Sequence, residues 1–451
     1  MFTICVLPFA NMSGDPEQEY FSDGITEDII TDLSKVSALG IISRNSAFMY
    51  KDRHVDIPKV AREFKVSHVL EGSVRKAGGR VRISAQLVDG ASNNHIWAER
   101  YDRDSSDIFA LQDEISEAIV KALKLKLLPE EKKAIERRGT DNAEAHNLYL
   151  MARQTHVTGQ ESDVRSAEAI VRLSARATQI DPRYAQAWAL MAIGHMKLRE
   201  TQGGRSDEGM AAAERALALN PDLAEAHAVK AQILLLDGDA GAAATEVARA
   251  LELDPESYEV NRSAGRLNYQ LLRHDDAIRF YEKVAALMDA DINSASMLIS
   301  CYTVLGNAAG ARRAAQLALK RAEAILVHDQ NNSMATGYSA YALAALGEGE
   351  RAKARMERAL LIAPDNFNMR YNFACALSIY VKDKAAAMDM LGPIFDTISD
   401  TLLPYAKADP DLELLRDDPR YQAMVSGAEA RLAAEAKAEA MPATDPVRSG
   451  A

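Results

Sequence analysis

A chain of 451 residues, 48% hydrophobic and 26% charged, has the composition of a soluble globular protein with room for more than one domain. Its 65 acidic residues against 53 basic ones leave a net charge of −12, which excludes a general nucleic-acid or anionic-membrane binder, because either needs a basic surface. No run is apolar and long enough for a membrane span, and "MFTICVLPFA" lacks the basic flank and cleavage site of a signal peptide; a cytoplasmic location without membrane contact is therefore expected.

The chain opens on a core-type strand, Thr3 to Phe9, which leads to the expectation that further sequence precedes it. Six carboxylates then crowd between Asn11 and Ile30. Asp15, Glu17 and Glu19 alternate as calcium-loop ligands do, but Tyr20 stands where a glycine must turn, Pro16 stiffens the second position, and Thr26 replaces the closing glutamate. Helix capping explains more of these residues. Asp15 is a good N-cap, Pro16 suits the first helical position and Gln18 completes a capping box over a short helix. Ser22 or Asp23 then caps a second helix with the apolar stripe Ile25, Ile29, Leu33, Val36, and Asp23, Glu27 and Asp28 fall in its first turn.

Leu39 to Phe48 reads as a strand and Ile57 to Phe64 as a short helix. Val69 to Lys76, Arg80 to Val88 and His95 to Tyr101 alternate as strands joined by turn residues, which predicts a meander. A helix from Asp107 presents Ile108, Leu111, Ile115 and Ile119 on one face. Residues 1–128 thus form an α+β domain, a mixed sheet in the order βαβαβββα.

A charged connector, 129–142, leads into alanine-rich helix with regular punctuation. Pro182, Pro221, Pro255 and Pro364 follow a period near 34 residues, the mark of a helix-turn-helix solenoid of tetratricopeptide (TPR) type. Ala231, Ala243 and Ala250 around Gly238 recur as Ala340, Ala352 and Ala359 around Gly347. Small residues there let paired helices approach closely. The expected array covers 143–425 in about six or seven units, with a helical and then disordered tail over 426–451.

No phosphate loop, GxGxxG, HExxH or GxSxG occurs, so no catalytic residue, cofactor or metal is assigned. Cys5, Cys301 and Cys375 lie far apart and read as core residues. Arg75, Lys76, Arg80 and Arg82 flank a glycine turn as a basic hairpin, able to grip an acidic group or simply solvated at a tip. Trp97 and Tyr101 share a strand face, as a ligand shelf or as core packing. In a TPR groove the first helix of each unit lines the inner face, which places Arg262, Arg266, Tyr269, Asn293, Tyr341 and Tyr371 there. Such a set suits an extended peptide bearing a carboxylate, or else packs between repeats.

The stretches "VLPFANMSGDPEQEYFSDGITEDIITDLSKV", "VLEGSVRKAGGRVRISAQLVD" and "HIWAERYDRDSSDIFALQDEI" resemble the TolB amino-terminal-like domain that bacterial signalling proteins carry ahead of TPR arrays. The closing "DPDLELLRDDPRYQAM" is similar to the usual end of such arrays. The resemblance implies a non-enzymatic interaction and sensory module, with a protein or peptide partner and no nucleic acid. The module would serve a class III adenylate/guanylate cyclase or a CadC-type winged-helix regulator, whose catalytic or DNA-binding part lies in no segment of this sequence. The alternative it implies is a receptor whose TolB-like domain binds a small molecule and whose array relays that state. An upstream transmembrane helix, frequent in this family, would place the module in the periplasm instead. Partner identity and oligomeric state are not legible in these residues.

Overall fold

The computed structural model describes residues 2–440 except 52, 54, 126, 137–138, 159–163, 203–206, 289–290 and 401; the expected disordered tail from Pro442 lies outside them. Contacts divide the chain into two compact units, Met1–Asp289 and Ala290–Ala451. The expected boundary at 129–142 was drawn from composition and does not coincide with this division.

The first unit begins with β1 (Phe2–Val6), β2 (Ala10–Asn11) and a 3-10 turn at Pro16–Gln18 that runs directly into α1 (Glu19–Ser34). Then come β3 (Leu39–Ile41), α2 (Arg44–Phe48), α3 (Ile57–Phe64), β4 (His68–Ala77), β5 (Arg80–Asp89), β6 (His95–Asp104), α4 (Ile108–Ala122) and α5 (Pro129–Glu136). The sheet order is β3-β1-β4-β5-β6, with β2 beside β4. β1 runs parallel to β3 and β4, and β4, β5 and β6 form the antiparallel meander. The sheet is mixed as expected, but β2 and α2 depart from the order βαβαβββα. The stretch Leu39 to Phe48 is not one strand, because Ser43 accepts a hydrogen bond from Ser46 N and caps α2 after three residues of β3.

Both sheet faces are covered near β1. Ile25, Ile29 and Leu33 of α1 and Leu111, Ile115 and Ile119 of α4 pack with Leu70, Val74, Ile83 and Leu87 on one face. Ala47 of α2 and Val60 and Ala61 of α3 pack with Cys5, Leu7, Val69 and Val88 on the other. Trp97 and Tyr101 join the first core, so the aromatic pair is packing rather than a shelf.

Asp15 caps as expected, its carboxylate accepting from Glu17 N at 2.9 Å. Gln18 does not return the bond: its side-chain oxygen is buried without a partner. Ser22 and Asp23 lie inside α1 and cap nothing, because the 3-10 turn continues straight into one helix.

Four helix pairs follow in the first unit: α6 (Ala143–Thr158) with α7 (Val164–Ile180), α8 (Ala185–Gln202) with α9 (Asp207–Leu219), α10 (Ala224–Leu236) with α11 (Ala240–Leu253), and α12 (Tyr258–Gln270) with α13 (His274–Leu287). In the second unit α14 (Ile292–Val304) pairs with α15 (Ala308–His328), α16 (Ser333–Ala345) with α17 (Gly349–Ile362), and α18 (Phe367–Ala376) with α19 (Lys384–Phe395). α20 (Leu402–Ala408) and α21 (Pro419–Ala440) close it. The small residues Ala231, Ala243, Ala250, Ala340, Ala352 and Ala359 are all fully buried. Turns within pairs reach the left-handed region at Gly238, Gly306 and Gly347, and at Leu272 with φ 57° and Lys382 with φ 60°. No described helix is long and apolar enough to cross a membrane.

The junction of sheet and helices is tight. Gly24 of α1 has no side chain because Leu150 of α6 occupies the space, a Cβ there falling 2.5 Å from Leu150 Cδ1. Leu150 is itself a member of the sheet core. Tyr20 donates to Asn147 Oδ1 at 2.9 Å, and Glu131 of α5 accepts from Ser37 N and Oγ at 2.8 and 2.6 Å.

Candidate functional site

The carboxylates of α1 point to partners along its length instead of to a common ion. Asp23 and Glu19 take Lys51 at 2.5 and 3.2 Å. Glu27 pairs with Arg44 at 3.1 Å and with Arg153 of α6. Asp28 accepts from Gln112 at 2.6 Å and meets His146 Nε2 at 3.1 Å. Glu19 and Asp23 share Lys51, while Glu27 and Asp28 meet Arg153 and His146 of α6, so these groups turn to side chains on different sides and their C-terminal pair makes a docking face for α6.

That face opens a polar interior lined by the first helices of the first unit's pairs. His156 of α6 donates through Nε2 to Glu259 of α12 at 2.8 Å, joining the first pair to the fourth. Burial, followed by the nearby Lys197 charge, holds the His156 imidazole below its ordinary value. Burial opposes ionisation of Glu259, yet His156 and Lys197 outweigh it and keep that carboxyl low. His156 Nδ1 is buried without a partner. Arg266 pairs with Glu200 of α8 and reaches Gln232 of α10 at 3.5 Å.

Three expected groove residues belong to this interior. Arg262 stands close enough to His156 to depress its pKa, Arg266 pairs with Glu200, and Tyr269 sets its ring edge-on to His274 at 5.6 Å. The other three lie in the second unit. Asn293 donates to Tyr338 at 2.6 Å, Tyr341 bonds Ser300 at 2.9 Å, and Tyr371 donates to Asp409 at 2.6 Å. All six are partly buried. Their internal partners Glu200, Tyr338 and Asp409 are brought in from distant positions with no spacing signal.

The basic hairpin does not form one patch. Arg80 and Arg82 both grip Asp102 of β6, at 2.5 and 2.6 Å, and Arg75 donates to Met12 O at 2.9 Å. Lys76 lies on the opposite sheet face, 4.4 Å over the Phe21 ring and 3.2 Å from Asn147, where burial lowers its pKa.

Among the described residues, Cys375, Asp409 and Asp411 bring potential metal-ligand atoms within 4.8 Å of one another. Asp409 spends its oxygens on Tyr371 and on Asp411 N, and burial pushes the Cys375 thiol well up, which opposes a thiolate ligand. These donors fit a capped turn better than an ion.

Residues 1–118 match the second domain of HilA/YgeH-like transcriptional regulators. "Putative adenylate cyclase 3" of Rhizobium meliloti (strain 1021) is 54% identical over 191 residues, which cover 42% of this chain and 32% of that protein. The chain therefore spans about a third of the length of the curated relative it matches. Among solved structures, a human IFIT1 dimer with m7Gppp-AAAA aligns at a TM-score of 0.43 and 13% identity, over 74% of this chain and 78% of that one. YrrB, a TPR protein with an unusual peptide-binding site, aligns at 0.28 and 17%, over 48% and 97% of the two chains. Pseudomonas aeruginosa pilF aligns at 0.36 and 15%, over 55% and 98%. At these scores the solved structures carry no argument about function.

Proposed function

We propose that this chain is a non-enzymatic interaction and sensory module of a bacterial signalling protein, coupled to a nucleotide cyclase. The observation that carries this reading is the 54% identity to a putative adenylate cyclase over 191 residues, in a chain without a catalytic sequence motif. A regulator-type family match at residues 1–118 supports a regulatory role for the sheet-bearing part, and the TolB-type resemblance of its motifs is compatible with the same role. The helix pairs supply the partner surface, for which Arg262, Arg266 and Tyr269 in the first unit and Asn293, Tyr341 and Tyr371 in the second are the proposed contacts. A peptide carboxylate reaching Arg266 would displace Glu200, so binding there would be coupled to breaking an internal ion pair.

A chimaera tests the assignment: the 191-residue segment of the relative is replaced by the matching segment of this chain and cyclic-AMP formation is measured. The expected result is a rate that depends on the segment, and no cyclic AMP from this chain alone. Equal rates with the segment present or deleted overturn the regulatory assignment, and turnover by the chain alone overturns the non-enzymatic one.

A further inference from the structure

The strand β6 is the last in the sheet order, paired with β5 on one side only. Ser105 N donates to Gly79 O at 2.7 Å, one step beyond the Arg80–Asp104 register pair. Bonded pairs alternate along an antiparallel ladder, so Trp97, Glu99, Tyr101 and Arg103 turn their backbone groups to β5. Ala98, Arg100, Asp102 and Asp104 turn theirs outward. The Arg103 guanidinium fits this assignment by donating to the outward Asp102 carbonyl at 3.3 Å. Among the described residues no other hydrogen bond to the outward backbone groups of Ala98, Arg100, Asp102 or Asp104 is formed.

An edge resists pairing through a proline, a mid-strand bulge, or charged side chains that an incoming strand leaves unmatched. β6 has ten residues without proline, and the one irregularity of its ladder lies at its beginning, by Leu87 and Val88. Its charges alternate in sign: Glu99, Arg100, Asp102, Arg103, Asp104. All but Asp102 are exposed.

We propose that β6 is a self-association edge, on which a second copy of this chain lays its own β6 antiparallel across a two-fold axis at Tyr101. A two-fold axis perpendicular to the sheet keeps each side chain on its own face, so opposed residues must have numbers of the same parity. With Tyr101 opposite its copy, Arg100 faces Asp102 of the second copy and Glu99 faces its Arg103, each contact occurring twice. The outward backbone groups then pair in the bonded register, Arg100 with Asp102 and Ala98 with Asp104. Sliding by one residue per strand, to an axis at Arg100, sets arginine against arginine and loses the charge match. Opposite charges directly across an antiparallel ladder stabilise it and like charges weaken it, so the Tyr101 axis, with four opposite-charge contacts, is favoured over the axes at Arg100 and Asp102, each of which sets that residue against its own like-charged copy. Asp102 keeps Arg80 and Arg82 on its own sheet face and reaches the incoming Arg100 as a shared carboxylate.

The test measures the mass of the full chain in solution by light scattering and sedimentation from low to high micromolar concentration. The wild-type chain is expected to shift toward twice its chain mass. Glu99→Arg opposes two arginine pairs and should weaken the dimer about tenfold, whereas Glu99→Arg combined with Arg103→Glu restores the match and the affinity. Arg100→Pro removes an outward N–H without touching the β5 ladder and should leave a monomer with the wild-type circular dichroism. A wild-type chain of single mass at every concentration overturns the proposal. So does a Glu99→Arg chain that dimerises as tightly as wild type, a readout that stands even if the proline variant fails to fold.

Discussion

The two compact units line the first helices of their pairs with polar residues of different kinds. In the first, charge meets charge: Arg153 with Glu27, Arg266 with Glu200, and Glu259 between His156 and Lys197. In the second, neutral groups meet: Asn293 with Tyr338, Ser300 with Tyr341, Thr303 with Tyr380. A partly desolvated ion pair stabilises little in net terms, but losing one member strands the other. A hydroxyl bond stabilises by less and strands less. The first interior is therefore brittle toward single substitutions and the second is tolerant.

Glu259→Ala should be the most damaging change in this comparison. It leaves the buried Lys197 without its main counter-charge and His156 without an acceptor at either nitrogen, at a cost of about 3 kcal/mol. Chemical denaturation of the full chain measures it. A loss no larger than that of an exposed-surface control would show that water reaches the cluster and that the brittle interior does not exist.

Asp411 in the second unit is an exception, and it has the opposite sign. Burial, then the neighbouring Asp409 carboxylate, lifts the Asp411 carboxyl to about 6. An unfolded aspartate titrates near 4, so between about pH 4 and pH 6 the folded protein keeps a proton that the unfolded chain has released. Stability contributed by this group therefore falls as pH rises through that window and is absent at neutral pH, a difference of about 3 kcal/mol. Asp411→Asn keeps the backbone bond to Asp409, and should raise neutral-pH stability by roughly that amount while flattening the profile between pH 4 and pH 6. A variant with unchanged denaturation at both ends of the window would place Asp411 in water.

Within the neutral network, Tyr341→Phe removes the hydroxyl that meets Ser300 and leaves the ring edge-on to Tyr380 at 5.7 Å. The expected loss is about 1 kcal/mol and independent of pH between 5 and 8. A cost equal to that of Glu259→Ala would erase the distinction between the units.

The meander, the apolar stripe of α1 and the small-residue register of the repeats were legible because each is written at short range, as alternation, helical spacing or a fixed period. The misread stretches fail for local reasons too. Leu39 to Phe48 has strand-like composition, but Ser43 offers a cap that ends the strand. Ser22 and Asp23 are good caps by residue type, yet Pro16 starts a turn that feeds the helix before they are reached. The candidate site was legible only as a set of residue types. What decides their role is pairing across 30 to over 100 residues, as in His156 with Glu259 and Arg266 with Glu200, and nothing in a single sequence marks those distances. Gly24 carried a signal that was overlooked: a glycine in the middle of an apolar helical stripe is costly by propensity and points to a close neighbour, here Leu150.

Asp15 separates the exposed carboxylates from both interiors. It stands in water, accepts from Glu17 N at 2.9 Å, and holds the 3-10 turn that feeds α1. No lysine or arginine pairs with it among the described residues, so its contribution is that of a cap alone. Asp15→Ala is expected to lower stability by about 1 kcal/mol, less than any change in the charged interior, because solvent takes over the freed N–H. The loss should be the same with and without added calcium, since Glu19 and Asp23 turn to Lys51 and Glu27 and Asp28 to the α6 side. A calcium-dependent rise in melting temperature that the substitution abolishes would mean that these carboxylates regroup around an ion, and that the docking face of α1 is switchable rather than fixed.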